Sequence, residues 1–270
     1  KFCQKLREKG ILIRDRSSDI LLNGCERITL GTLNQTKELI KALRQIIKEI
    51  NPLLIFDIDG VLIDVSKSYR VAIKKTSEYF TKKGINFEEI QNYKNKGRLN
   101  NDWDLTEAII KDKGISADKK LIIKKFQNYY SKSKAKEKWI LNKKLLKKLS
   151  DRYNLAILTG RPKNEAYFVL KKNKVTKYFK TIVSMENVSK QKPNPEGLIK
   201  ILKRLPNPEA YYFGDSIDDM KTANSANINP IGVLPPQDKS SFLLNFLIEN
   251  GAKFVITDIN SIMEALKWGL

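Results

Sequence analysis

The chain has 270 residues, 41% apolar and 30% charged, enough for one large α/β domain with an insertion or for two modest domains. It carries 51 Lys and Arg against 30 Asp and Glu, a net charge of +21, and no histidine. The missing histidine excludes Ser-His-Asp hydrolysis, His-ligated zinc and histidine-based phosphatase chemistry, leaving carboxylates, lysine, tyrosine and hydroxyls as reactive groups.

No stretch approaches the roughly 18 apolar residues of a membrane span, and no secretory signal opens the chain. Cys3 and Cys25 form neither a metal-ligand spacing nor a disulfide framework, so a reducing, cytoplasmic setting is expected. Lysine is spread through most of the chain, aromatics are not interleaved with it at a repeating interval, and no helix-turn-helix or zinc-finger pattern occurs. The positive excess therefore reads as lysine-rich usage on solvated helix faces rather than a nucleic-acid surface, with attraction of an anionic substrate as its remaining use. No membrane partner is expected.

Residues 1–50 read as a small α+β unit. Ile11–Arg14 and Arg27–Leu30 are expected as short strands around a polar loop with Ser17, Ser18, Asn23 and Gly24. Leu39, Ile40, Leu43, Ile46, Ile47 and Ile50 recur at spacings of three and four. They predict a helix over 32–50, with Thr36-Lys37-Glu38 in its first turn and Asn51-Pro52 at its end. A start at Lys1 rather than Met is what a fragment or trimmed product would show.

An apolar run over 53–58 then predicts a strand buried on both faces of a parallel sheet. It ends in Asp57, Asp59 and Gly60. Two acids at spacing two leave a strand pointing the same way, at the carboxyl end where open α/β sheets place ligands. Ser66 to about Leu149 reads as mostly helical, with breaks near Gly84, 97–103 and Gly114. This block is too long for one crossover and is expected to be an inserted cap. Short strands at 155–158, 181–183, 211–213, 230–234 and 254–256 alternate with helical stretches, which implies a Rossmann-like parallel sheet with helices on both faces. The expected division is 1–50, a core of 51–65 and 150–270, and a helical cap of 66–149.

Four predicted strand ends carry chemistry. Alone, each is ordinary: Asp59-Gly60 as a strand-to-turn junction, Thr159-Gly160 as a loop, Lys192 as one lysine among many, Gly214-Asp215 as a turn with a capping aspartate. In order, they supply a nucleophile, an acid/base, a donor to a phosphate oxygen, a fixed cation and an acidic platform for a metal. Phosphoryl transfer needs those parts, because its catalysis rests on positioning and on neutralising charge.

Over roughly residues 53–268 the chain resembles the haloacid dehalogenase superfamily phosphohydrolases with an α-helical cap. The resemblance implies that Asp57 is a nucleophile forming an aspartyl-phosphate, and that Asp59 protonates the leaving group and then deprotonates water. It implies that Thr159 and the Gly160 amide hold a phosphoryl oxygen and that Lys192 balances charge. Asp215, Asp57 and the Asp59 carbonyl would bind Mg²⁺. Asp219, with Asp218 as its ambiguous neighbour, would orient waters or Lys192. Relatives that cleave carbon–halogen bonds use only the first aspartate, so Asp59 and Asp215 favour phosphate-ester hydrolysis of a small phosphorylated metabolite. A phosphomutase keeps both acids and stays open. So does a catalytically silent binding or scaffolding module with a basic surface, against which the intact acid pair argues.

Residues 10–48 resemble the C-terminal end of histidinol-phosphate aminotransferases, in Gly10–Asp15 and in Gly24–Thr32. The large domain and the cofactor lysine of that family are absent, so this segment cannot transaminate, and Arg27 reads as vestigial or structural. The cap segments Asp64–Arg70 and Asn100–Thr106 resemble a phosphatase subgroup often encoded with, or fused to, histidine-biosynthesis enzymes. Together these imply the remnant of a fusion to an aminotransferase, and histidinol phosphate as a substrate. Tyr69, Arg70, Arg98, Asn100, Asn101, Trp103 and Arg161 are the candidates for reading the substrate. The structural alternatives are Trp103 packed in the cap, Asn100–Asp102 capping the next helix, and Arg161 exposed.

Overall fold

The computed structural model describes residues 2–22, 25–29, 31–95, 101–207 and 209–267. Six strands form its main sheet: β1 (Leu53–Phe56), β2 (Leu155–Leu158), β3 (Thr181–Val183), β4 (Ala210–Gly214), β5 (Asn229–Val233) and β6 (Phe254–Ile256). They lie in the order β6-β5-β4-β1-β2-β3, every pair parallel. All residues of β1, β2 and β4 are buried, as continuous apolar runs must be when helices cover both faces. Side chains alternate between two cores. Leu54, Phe56, Leu155, Ile157, Tyr211 and Phe213 enter one, while Leu53, Ile55, Ala156, Leu158 and Tyr212 enter the other. Across β1 and β4, Phe56 stacks on Phe213 at 5.0 Å.

From β1 the chain moves outward through β2 to β3, then returns to place β4 on the other side of β1. The order therefore reverses between β1 and β4, and a crevice opens at their carboxyl ends. Asp57 and Asp215 are the residues that follow these two strands.

Beyond β1 the backbone turns tightly, with the Leu62 and Ile63 N–H groups donating to the Ile58 carbonyl at 2.9 and 2.8 Å. Ile63–Asp64 then pairs antiparallel with Lys138–Trp139. Between the strands of this ribbon lie four α-helices among the described residues, Tyr69–Thr81, Phe87–Asn95, Asp102–Asp112 and Lys119–Ser133, with breaks at Gly84 and Gly114 where they were expected. Arg98 and Asn100 lie outside the described residues. Helix Lys143–Arg152 runs across the expected boundary at 149/150 and packs beside helix Leu33–Ile50. Its Leu146 and Leu149 join the core of the sheet, so the ribbon is where the helical insertion rejoins that sheet.

In the first 50 residues the described strands are Arg14–Asp15 and Glu26–Arg27, which share only Arg14 and Arg27 with the expected ones; Asn23, Gly24 and Leu30 lie outside the described residues, and Arg27 is exposed. Helix Leu33–Ile50 starts on Thr32, which forms a capping box with Gln35; the expected first turn at Thr36 lies inside the helix. Helix Phe2–Glu8, which no apolar period announced, packs Leu6 against Leu39, Ala42 and Ile46. No helix among the described residues is long and apolar enough to cross a membrane.

Candidate active site

Asp57 stays in the ladder beyond β1, its N–H donating to the Phe213 carbonyl at 2.9 Å. Its side chain is buried. Oδ2 lies 3.3 Å from Lys192 Nζ, while Oδ1 is buried with no hydrogen-bond partner among the described residues. Lys192 is held by Asp219 Oδ1 at 2.6 Å and the Tyr212 hydroxyl at 3.2 Å. Tyr212 donates to the same Asp219 oxygen at 2.8 Å. Asp219 Oδ2 accepts from the Ser216 hydroxyl and backbone N–H, at 2.6 and 3.1 Å, closing the capping box of helix Ile217–Ser225. Both oxygens of Asp219 are thus engaged in holding Lys192 and the helix start. Asp218 is its buried neighbour and lines the cavity described below.

The electrostatics follow from three acids around one cation. Burial is the main force pushing the Asp57 carboxyl up to about 7; Lys192 opposes it, and Asp219 and Asp59 add to it. Asp215 is raised well above the usual carboxylate range by burial and then by Asp219 and Asp57. For Asp219 burial pushes upward too, but Lys192 and the hydrogen bonds outweigh it and hold the carboxyl low. Oxygens of Asp57, Asp215 and Asp219 lie within 4.8 Å of one another. With Asp219 occupied, Asp57 and Asp215 are the acids left to hold a cation. An unpaired buried oxygen, an all-oxygen donor set and an excess of negative charge fit a hard divalent ion such as Mg²⁺. Gly60 closes this cradle: its φ is +74°, and a Cβ there would lie 1.9 Å from Asp215 Oδ2.

Thr159 sits at the end of β2 with its N–H on the Val183 carbonyl at 3.0 Å. Its buried hydroxyl accepts from the Arg161 N–H at 3.2 Å. Gly160 lines the cavity and Thr159 is set behind it. Arg161 is not exposed: at 2% accessibility it is among the largest fully buried side chains of the described residues. Its guanidinium donates to Asp59 Oδ1 (Nε, 2.8 Å) and to both oxygens of Glu137, each at 3.1 Å.

The cavity over Asp57, Asp59 and Asp215 is roofed by the helical insertion, where Tyr69, Arg70, Asn101 and Trp103 line it. Tyr69 donates its hydroxyl to Glu165. Arg70 bonds Gln91, and its Nε has no hydrogen-bond partner among the described residues. Asn101 caps helix Asp102–Asp112 by accepting from the Trp103 N–H at 2.9 Å, and Trp103 is half-buried against the apolar cluster that runs from the sheet into these helices. The capping and packing expected of these two residues coexist with their place on the cavity wall. Sequence reasoning did not single out Lys94, which pairs with Asp102 at 3.1 Å, nor Glu137, Glu165 or Phe246. Glu137 stands alone in a run of lysines, and nothing in its surroundings marks it. Tyr212 was recognised only as a strand residue, not as a partner of Lys192.

The family model for haloacid dehalogenase-like hydrolases matches residues 54–233. A phosphorylated carbohydrates phosphatase of Thermotoga maritima is 30% identical over 66% of this chain and 82% of its own length. An imidazoleglycerol-phosphate dehydratase of Phytophthora nicotianae is 31% identical over 71% of this chain, but the match spans only 45% of that relative. A histidinol-phosphate aminotransferase of Christiangramia forsetii is 50% identical over 42 residues, which is 16% of this chain and 12% of that one. This short match is weak support for the N-terminal resemblance. Among solved structures, a hydrolase from Pseudomonas syringae superposes with a TM-score of 0.66, at 21% identity over 81% of this chain and 99% of that one. The hydrolase YfnB of Bacillus subtilis, solved bound to magnesium, superposes with a TM-score of 0.57, at 18% identity over 80% and 98% of the two chains. At these identities the two structures establish the fold alone.

Proposed function

The chain belongs to the haloacid dehalogenase-like hydrolases and is an enzyme of their phosphatase type, and from that premise we propose that it hydrolyses a small phosphate monoester with Mg²⁺ by way of an aspartyl-phosphate on Asp57. The observation that carries this reading is the Asp57 carboxylate, with one oxygen on a locked lysine and the other buried and unpartnered. In this reading one oxygen of the carboxylate attacks phosphorus while the other faces the cation.

In the first half-reaction an Asp57 oxygen forms a bond to phosphorus as the ester P–O bond breaks, and protonated Asp59 gives its proton to the departing oxygen, releasing an alcohol. In the second, the Asp59 carboxylate takes a proton from water, whose oxygen bonds phosphorus as the bond to Asp57 breaks. Phosphate leaves, with Asp57 ionised and Asp59 protonated again. Lys192 holds Asp57 in place and neutralises charge on the phosphoryl oxygens. The Gly160 amide, supported by Thr159, donates to one of those oxygens. Mg²⁺, held by Asp57, Asp215 and the Asp59 carbonyl, would supply the positive charge that lets two acids and a phosphate meet; the clustered oxygens of Asp57 and Asp215 support this assignment.

For the substrate we favour histidinol phosphate. Two relatives are named for imidazoleglycerol phosphate and histidinol phosphate, and Trp103 and Phe246 give the cavity ring surface against which an imidazole can stack. The test is phosphate release with Mg²⁺ by wild type and Asp57→Asn. The variant should lose about 10³-fold or more on p-nitrophenyl phosphate, and wild type should turn over histidinol phosphate faster than a panel of sugar phosphates. Equal rates for wild type and variant would remove the nucleophile, and equal or slower turnover of histidinol phosphate would remove the substrate.

A further inference from the structure

Arg161 is a buried cation with no part in the hydrolysis described above. Lys192 already serves the phosphate, and although Arg161 reaches the cavity wall, its guanidinium is spent on protein oxygens. Its fork grips two carboxylates at once: Nε and a terminal nitrogen on Asp59, and both terminal nitrogens on Glu137 at 3.1 Å. The Tyr69 ring lies on its face at 4.8 Å, and Tyr130 stacks behind Tyr69 at 4.4 Å. A planar guanidinium clamped at its edge and on its face has one orientation.

The clamp is anchored where the helical insertion meets the sheet. Glu137 is buried and accepts from the Ser68 hydroxyl at 2.9 Å and the Tyr130 hydroxyl at 3.3 Å. Ser68 follows the outgoing ribbon strand, and Glu137 precedes the returning one. Asp59 itself sits on a tight turn next to Gly60, with a side chain 28% exposed, and has freedom to lose. Both bonds from Arg161 fall on Asp59 Oδ1, which leaves Oδ2 for proton transfer.

We propose that Arg161, braced by Glu137, is a positioning residue that holds Asp59 at the angle from which it exchanges protons with the leaving-group oxygen and water. The inference rests on the reading of Asp59 as acid/base. Its signature is dependence on the leaving group. An alkoxide needs the proton as it departs, whereas p-nitrophenolate departs with little help, so a misaimed acid hurts alkyl esters selectively.

The experiment compares kcat/KM for β-glycerol phosphate and p-nitrophenyl phosphate, with Mg²⁺, in wild type, Asp59→Asn, Arg161→Lys and Glu137→Gln, alongside inhibition by inorganic phosphate. Arg161→Lys keeps the charge and loses the fork; Glu137→Gln weakens the brace and serves if the lysine variant fails to fold. Each should lose about tenfold or more beyond its loss on the aryl ester when acting on the alkyl ester, in the pattern of Asp59→Asn, with phosphate inhibition unchanged. Equal losses on the two esters, or weakened phosphate inhibition, overturn the positioning role while the phosphatase reading stands. If wild type hydrolyses neither ester, or Asp59→Asn leaves both rates intact, the reading beneath the inference fails and takes the inference with it.

Discussion

Lys192 shows what a single residue owes to its surroundings. Its ammonium is buried between Asp57 and Asp219, and removing one partner of a buried ion pair costs about 3–5 kcal/mol, because the other charge is left without compensation. Lys192→Met should therefore lower stability by that order in denaturant titrations and abolish turnover. Adding Asp219→Asn should restore part of the stability and none of the activity; a double variant no more stable than Lys192→Met would contradict the pairing. The loop that carries Lys192 is tied down by Glu196, whose carboxylate accepts from Ser189 N–H (3.0 Å), Ser189 Oγ (2.7 Å) and Lys190 N–H (2.9 Å), and pairs with Lys200 at 2.6 Å. The Lys200 bond, then those from Ser189 and Lys190, hold its pKa below the ordinary 4.5. A carboxyl lowered in the folded state stabilises above its unfolded pKa, and that contribution fades as pH falls through the folded value. The Tm gap between wild type and Glu196→Gln should thus be widest above pH 4.5 and narrow in acid; melts from pH 7 to 3 check it, and a constant gap contradicts it. At this scale Asp57, Asp59, Thr159, Lys192 and Asp215 were legible as candidates because they lie beyond predicted strands in an order that resembles a phosphohydrolase's. Glu137 was not, because its bond to Arg161 spans 24 residues and depends on how the insertion returns.

At the scale of elements, the central strands β1, β2 and β4 were readable because each is an apolar run buried on both faces. A pattern that strong survives ignorance of its neighbours. Helix Phe2–Glu8 was not readable: with only Leu6 fully buried, it exists by leaning on helix Leu33–Ile50, and no local period records a partner. The seat of helix Glu196–Arg204 was equally hidden. Its Gly197 lies so close to β2 that an added Cβ would fall 2.3 Å from Leu158 Cδ1. Alanine there gains little helix propensity, since the position is in the first turn, and must push the helix away or force Leu158 off its rotamer. Overpacking of this kind costs about 1–3 kcal/mol. Gly197→Ala should be destabilised by that amount, and Gly197→Ala/Leu158→Ala should be less unstable than the sum of the two single changes. Urea titrations of all three variants decide it, and strict additivity would show that the contact does not set the seat.

For the whole molecule, the question is how many cooperative units the chain contains. The sheet is flanked by two large cores, whereas Leu6, Leu39, Ala42 and Ile46 form a separate cluster in the first 50 residues. Polar bonds at the seam are few among the described residues: the Asn154 side chain on the Lys48 carbonyl at 3.5 Å, and next to it the Asn51 side chain on the Arg152 carbonyl at 3.1 Å and the Asn207 side chain on the Asn51 carbonyl at 2.9 Å. We propose on this basis that residues 1–50 unfold apart from the phosphatase core, consistent with a family match that begins only at residue 54. Leu6, Leu39 and Ile46 contribute about 1.5–3 kcal/mol each and Ala42 less, so the unit has little to spare. A charge placed at fully buried Ile46 removes one of these contributions and adds the penalty of an unpaired buried carboxylate. Ile46→Asp, made in the full chain, should open residues 1–50 to protease and separate a low-temperature transition from the main melt. Phosphate release from p-nitrophenyl phosphate should stay within about twofold of wild type, the range of a surface-like change. A single lowered transition with activity lost in parallel would mean that the first 50 residues and the sheet fold as one body, through helix Lys143–Arg152 against which Leu33–Ile50 packs.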